Sequence, residues 1–548
     1  MKINSRLATI ASIMLSPILA ACATVPQGES FDLLLRGGEV VDGTGRPSRV
    51  TDVGVRGNKI VFVGDAKGRN AVNELDVSGL VVAPGFVDPH THALEEIVRE
   101  NRTPGPLINE GYLRQGVTTL VSGPDGYFSP KFMRTLDTAV NQYGSALNYA
   151  FYVGHNGIRR EVMGGAQRRP TPTELDQMRD MVRDGMEMGA VGFSTGLMYE
   201  PGMFSGIDEV VELTKEVAPF NGVYDSHTRN PVFEMMASES EAIEVGRRAG
   251  VPAKLAHLKA VGLINRGKIG DVIQLVEASN RLGQQVVSDQ YPYDGAATAN
   301  LTDLIILPET GVGAASREAV LQALSDGGIA SNSFAAVREA SEKGIGGGFS
   351  WIKAVGYGSM RIVDAPDDPS LVGKNLFLLS QERGQSPFEL VVSLIRENEN
   401  PVLLTLGAIE EQDVRELLVQ PWNMISSDGA YADAIYQEFK HPRSTGSFPR
   451  VLGYYVREEK VLTLEEAVRK MTSFPASFLG LSDRGVLSPG FAADITVFDK
   501  NRIIDKSTWT DPGAYSEGVV HVIVNGKFVL RNEQVTGQTP GEWVKPNR

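Results

Sequence analysis

Cysteine is nearly absent: Cys22 is the only one in 548 residues. That excludes an intrachain disulfide and any zinc site built on several thiolates. Histidine is also scarce, with seven in the chain, so each one's position carries information. Long apolar runs are missing. The stretch LATIASIMLSPILAA, residues 7–21, is too short to cross a bilayer comfortably. Long basic runs are missing too, and the formal net charge is −14. Both facts disfavour nucleic acid and anionic membrane surfaces as partners. An anionic small substrate stays compatible, because a site can be locally basic.

What remains is ordinary globular composition, 42% apolar and 22% charged. The length suits either several domains or one α/β barrel with insertions. At the start, Lys2 and Arg6 precede the apolar stretch, which ends in LAAC. This reads as a signal peptide and lipobox over residues 1–22, with Cys22 as the lipidated residue after cleavage. Ala23 follows instead of aspartate, which points to an outer-membrane, periplasm-facing anchor in the cell envelope. Lipid attachment would be the only membrane contact, and it leaves no thiol for catalysis or zinc.

After the polar linker TVPQGES, the segments FDLLLRGGEVVDG and TDVGVRGNKIVFVGD alternate as strands, with Gly57-Asn58 as a hairpin turn. The far end repeats the pattern in ADITVFD and VVHVIVNGKFVL, where Asn525-Gly526 marks a second hairpin. The middle alternates strands and helices. In TPTELDQMRDMVRDGMEMGAVGFSTG, Thr171 caps, Pro172 fits the first turn, Glu174 completes a capping box and Gly189 ends the helix. Thr463 and Glu466 open a later helix similarly. Repeated βα units fit a parallel sheet or a (β/α)8 barrel equally well. Residues 296–348, rich in Gly, Ser and Ala, read as an insertion and lid over the site, or as an irregular βα unit.

Chemistry concentrates at strand ends. In FVDPHTHA, His90 and His92 lie two apart, so on an extended strand they face one side. His227 in GVYDSHTRN, His257 in VPAKLAHLKAVG and Asp428 in WNMISSDG each close an apolar run. One such histidine means little. Four with an aspartate, all at strand ends, match the imidazole and carboxylate donors of a hydrolytic zinc site.

Together with this order, the motifs GVTTLVSGPDG, GFSTGLMYEPG, SHTRN, AHLKAVG, DQYPYDGA, SDGAY and HPRSTGSFPRVLGYY resemble the N-acyl-D-amino-acid deacylases (D-aminoacylases) of the amidohydrolase superfamily, from about Phe31 to Asp499. The resemblance implies a TIM-like (β/α)8 barrel over residues 86–484. It also implies a small β-sandwich domain from both chain ends, 30–85 and 485–540. It assigns one or two zinc ions to His90, His92, His227 and His257, and makes Asp428 a metal-associated general base. Members of this group place a metal ligand, commonly cysteine, after the second strand. Here Gly123-Pro124-Asp125-Gly126 stands there, so Asp125 is read as the ligand, with hard oxygen in place of sulfur. A plain turn is the alternative. Ala93 follows the histidine pair where the group has an acidic residue, with Glu95 and Glu96 slightly later.

The resemblance further implies that Lys259, Tyr291 and Arg443 hold the α-carboxylate of an N-acylated amino acid. His155, in YVGHNGIRR, is read as lining the pocket, His441 as shaping the Arg443 loop, and His521 as structural. The expected reaction is zinc-dependent hydrolysis of N-acyl-D-amino acids. Two alternatives stand beside it: a cyclic-amide hydrolase or dipeptidase on the same metal site, and a non-catalytic lipoprotein binding module.

Overall fold

The computed structural model describes residues 30–94, 105–308, 316–325, 334–430 and 441–547. Cys22 with its lipobox, and Glu95 and Glu96, lie outside them. No helix among the described residues is long and apolar enough to cross a membrane.

Eight parallel strands form the central sheet: β1 Phe86–Thr91, β2 Val117–Ser122, β3 Asn148–Gly154, β4 Gly192–Gly196, β5 Val223–His227, β6 Ala253–Leu255, β7 Val286–Gln290 and β8 Asn423–Ile425. Each is buried along its whole length. Parallel strands packed on both faces require this, and it explains why they read as apolar runs without alternation. Helices follow the strands. Pro172–Met188 carries the full capping box: Thr171 Oγ1 accepts from the Glu174 N–H at 3.3 Å, and Glu174 accepts from the Thr171 N–H at 2.7 Å. Before Leu464–Met471 only half of that device forms, because the Glu466 carboxylate turns to Arg469 instead.

The apolar run from Leu80 to Val87 holds parts of two strands. Val81–Pro84 belongs to the terminal sheet and β1 to the barrel, and the chain changes sheet at Gly85. A Cβ there would stand 2.2 Å from Thr118 Oγ1, so only glycine lets β1 start against β2.

The barrel is nearly closed. β8 stops before it can pair with β1 along its length. The chain just past it closes the seam: the Asp428 N–H donates to the His90 carbonyl at 3.0 Å, and the His92 N–H donates to the Gly429 carbonyl at 2.8 Å. Just before them along the seam, the Ser427 N–H donates to the Asp88 carboxylate at 3.1 and 3.2 Å.

Both chain ends contribute to one nine-stranded sheet, joined where Val81–Pro84 pairs antiparallel with Ile495–Phe498. The small β domain expected from both chain ends is met in part: its strands form one hydrogen-bonded sheet that branches at Phe31–Val40, which pairs with Arg49–Arg56, Ala71–Asp76 and Val81–Pro84. Leu33, Val53, Ile60, Ile495 and Ile523 fill its core, each contributing about 1.5–3 kcal/mol by burial.

Between β7 and β8 the chain builds a second unit. Gly295–Asn300, Met360–Asp364 and Leu403–Gly407 form an antiparallel sheet with its own apolar core. The stretch 296–348 is the first part of this longer unit.

Candidate metal centre

The site lies at the C-terminal ends of the barrel strands, where such barrels carry their chemistry. His90 comes from β1, His92 from just beyond it, Asp125 from the turn after β2, His227 from the end of β5, His257 from just past β6 and Asp428 from just past β8. The structure brings all six together. Asp125 is central: Oδ1 stands 3.8 Å from His90 Nε2 and 3.7 Å from His257 Nε2, while Oδ2 stands 3.6 Å from both His92 Nε2 and His227 Nδ1. Asp428 Oδ1 faces His92 Nε2 at 3.3 Å and His90 Nε2 at 3.5 Å.

Three of these residues sit on left-handed backbone: Asp125 at φ 56°, His257 at φ 36° and Asp428 at φ 49°. Non-glycine residues adopt that region at a cost of order 1–3 kcal/mol, Asp and His among the more tolerant. The conformation turns each side chain inward just as the strand ends, so the Gly-Pro-Asp-Gly segment is both a turn and an aiming device.

The residues fit a metal ion. Ligands held at about 2.0–2.2 Å by one zinc stand roughly 3–4 Å from one another, the range of the separations above. His90 is fully buried with neither ring nitrogen hydrogen-bonded, and Asp125 Oδ1 and His227 Nε2 likewise lack hydrogen-bond partners. Buried polar atoms are rarely left so. Burial also pushes the His90 imidazole well down and that of His257 to about 4, so both are neutral donors at physiological pH. Burial alone would push Asp125 up, but the imidazoles of His227 and His257 hold it well below the usual carboxylate range. Burial opposes ionisation of Asp428 too, and Arg443 overcomes it, donating from Nη1 to Oδ2 at 2.6 Å. The donors form two overlapping groups, His90–His92–Asp428 and His90–Asp125–His257, which offers places for one ion or two.

A cavity of about 320 Å³ opens over this cluster. Lys259 and Arg443 line it on one side. Its other walls include Met198, Val232, Val261 and, from the second unit, Ala296 and Trp351. Lys259 Nζ donates to the His257 carbonyl at 2.7 Å, and burial pushes its ammonium down to about 8. Tyr291 sits behind these cations. Its ring centroid is 5.1 Å from Lys259 Nζ and 4.7 Å from Arg443 Cζ, and its hydroxyl donates to the Ala296 carbonyl at 3.1 Å. The residue thus carries both cations on its π face.

Of the remaining histidines, His441 reaches the cavity wall. Its Nδ1 accepts from the Arg443 N–H at 3.1 Å, which fixes that loop. His155 does not line the cavity as expected; it is buried against Glu209 at 2.9 Å, beside Arg159. His521 accepts from the Asn532 N–H in the terminal sheet.

Sequence reading missed the layer beneath the site, where Asp225, Lys254 and Asp289 are fully buried. A signal existed. Asp225 is two residues before His227 on the same strand face, and Lys254 interrupts the apolar run VPAKLAH. A charge inside a buried strand demands a partner.

The amidohydrolase family pattern matches residues 73–218 and 389–530. A D-aminoacylase of Alcaligenes xylosoxydans xylosoxydans is 33% identical over 94% of this chain and 97% of its own. Among solved structures, a D-aminoacylase described by its binuclear metal centre superposes with a TM-score of 0.74 at 29% identity, covering 94% of this chain and all of that one. An N-acyl-D-glutamate deacylase from Bordetella bronchiseptica, complexed with zinc and a phosphonate mimic of the tetrahedral intermediate, gives 0.75 at 29% identity with the same coverage.

Proposed function

Because this chain belongs to the amidohydrolase family, we propose that it hydrolyses the amide bond of N-acyl-D-amino acids, using zinc, to a free D-amino acid and a carboxylate. One observation carries the reading: three imidazoles and two carboxylates of the cluster line the same cavity as two cations, with His90 buried against them. The first supplies hydrolytic chemistry, and the second suits a linear substrate with a free carboxylate.

His90, His92, Asp125, His227, His257 and Asp428 would hold the metal. A zinc ion held there would lower the pKa of water towards neutrality and polarise the acyl carbonyl, and so would bring a proton within reach of a carboxylate as weakly basic as Asp428. Asp428 takes that proton during attack and returns it to the amine nitrogen as the C–N bond breaks. Lys259 and Arg443 hold the α-carboxylate and so fix the amide over the cluster. Arg443 serves both ends, since one nitrogen on Asp428 leaves its other donors for substrate. Tyr291 keeps the two cations in place from behind. The D configuration is supported by the named relatives, whose substrates are D-amino-acid derivatives.

For location, we propose lipidation at Cys22 and a periplasm-facing outer-membrane anchor, on the strength of the LAAC sequence and Ala23. Cys22→Ser should move the protein from the membrane fraction to the soluble one.

The reaction is tested with zinc-loaded protein truncated before Cys22, following free amine released from matched N-acetyl-D- and N-acetyl-L-amino acids. Release from the D series alone is expected. No release from either, with zinc bound, would redirect the reading to cyclic amides and dipeptides.

A further inference from the structure

Beneath the metal centre lies a cation that no step of the reaction uses. Lys254, from β6, is fully buried inside the barrel. Its Nζ stands 3.1 Å from Asp225 Oδ1 and 2.8 Å from Asp289 Oδ1, and donates to the Pro89 carbonyl at 3.2 Å. Two of these partners belong to strands that carry members of the site, and the third, Asp289 on β7, reaches one through a hydrogen bond. Pro89 precedes His90, and Asp225 is two residues before His227. Asp289 accepts from Ser426 Oγ at 2.5 Å, two residues before Asp428. Lys254 itself is three residues before His257. A single ammonium therefore links β1, β5, β6 and β7 and, through Asp289, the chain just past β8.

The charges have a direction. His90 Nε2 points to Asp125 and Asp428, whereas His90 Nδ1 faces Asp289 Oδ2 at 3.9 Å. A negative carboxylate on the Nδ1 side favours the tautomer with its proton there and leaves the Nε2 lone pair for a metal. Asp289 can do this only if it remains charged in a dry interior, and an ammonium 2.8 Å away makes that affordable. Geometrically, His90, Asp225 and Asp289 could also hold an ion. The lysine stands between the two carboxylates that such an ion would need.

We propose that Lys254 is a positioning residue, a built-in counter-cation that keeps Asp289 charged against His90 Nδ1 and aligns the strands bearing the metal donors. This rests on the metal centre proposed above. It is tested by zinc affinity, measured by competition with a chromophoric chelator, which needs no substrate. Lys254→Met keeps length and removes charge; it should bind zinc 10–100-fold more weakly than the parent, the usual effect of losing a residue behind a metal ligand. A folded Lys254→Met protein with parent affinity would overturn the proposal, even if it melts earlier, since earlier melting alone is what a packing role predicts. Should that variant fail to fold, Asp289→Asn decides in the same way: weaker zinc binding supports the proposal and parent affinity overturns it. Parent protein that binds no zinc would strike the metal centre itself, and a parent that binds zinc but releases no amine would strike only the substrate reading.

Discussion

Replacing Asp428 by asparagine separates its two contacts. Oδ1 faces His92 and His90 at 3.3 and 3.5 Å, and Oδ2 accepts from Arg443 at 2.6 Å. Asparagine keeps the shape and loses both the base and the charge. A positioned general base contributes about 10²–10⁴ in rate, which at 1.36 kcal/mol per tenfold corresponds to roughly 2.7–5.4 kcal/mol of barrier. The metal should stay, because four histidines and Asp125 remain. Stability should fall, because breaking one side of a buried ion pair typically costs about 3–5 kcal/mol; the actual loss should be at the lower end, since the Arg443 side chain is 17% exposed and its guanidinium rests on the Tyr291 ring. KM should hold or drop, since the released guanidinium becomes more available to the substrate carboxylate. The assay is steady-state hydrolysis of N-acetyl-D-amino acids beside zinc analysis of the same preparation. A kcat within tenfold of the parent, with zinc bound, would refute the general-base role. A raised KM with intact kcat would reassign Asp428 to holding Arg443 for recognition.

Lys259→Met should raise KM far more than it lowers kcat, by about 10–150-fold for one charge-assisted hydrogen bond of 1.5–3 kcal/mol, and should erase the preference for free acids over their amides. Apolar walls at Met198, Val232, Val261, Ala296 and Trp351 should favour N-acetyl-D-leucine or -methionine over N-acetyl-D-glutamate in kcat/KM; the reverse order would mean that a cation reaches the side-chain end. Lys470 is buried, with Nζ donating to the Asn423 carbonyl at 2.9 Å, and burial pushes its ammonium down to about 7 from 10.5. Between those values the unfolded chain binds the extra proton, so stability should rise with pH across that window, by at most about 1.36 kcal/mol per unit. Denaturant titrations of parent and Lys470→Met should differ in that slope, and equal slopes would refute the assignment.

The parts of the site legible in the sequence share one property: they lie where an apolar run stops. His90, His227, His257 and Asp428 announce themselves because a polar residue closing a buried strand is conspicuous. The hairpins at Gly57-Asn58 and Asn525-Gly526 and the Thr171 capping box were readable because their signals are local. What was not readable depends on partners distant in the chain. Gly85 breaks a strand only because Thr118 lies against it. Lys254 looks misplaced until Asp225 and Asp289 are brought to either side. Tyr291 lies off the cavity wall, behind Lys259 and Arg443, with its hydroxyl on the Ala296 carbonyl that the second unit supplies. The single branched terminal sheet was hidden for the same reason, since strand alternation fixes which face is buried and not which strand lies alongside.

The bonds that fasten Asp428 to His90 and Gly429 to His92 have a consequence for synthesis. As the chain emerges, all four imidazoles are made before the proposed base, and the last barrel strand brings that carboxylate to the first only when the ring shuts. The group assigned to move the proton is thus the last member of the proposed site to be synthesised, and its placement depends on the hydrogen bonds that close the ring.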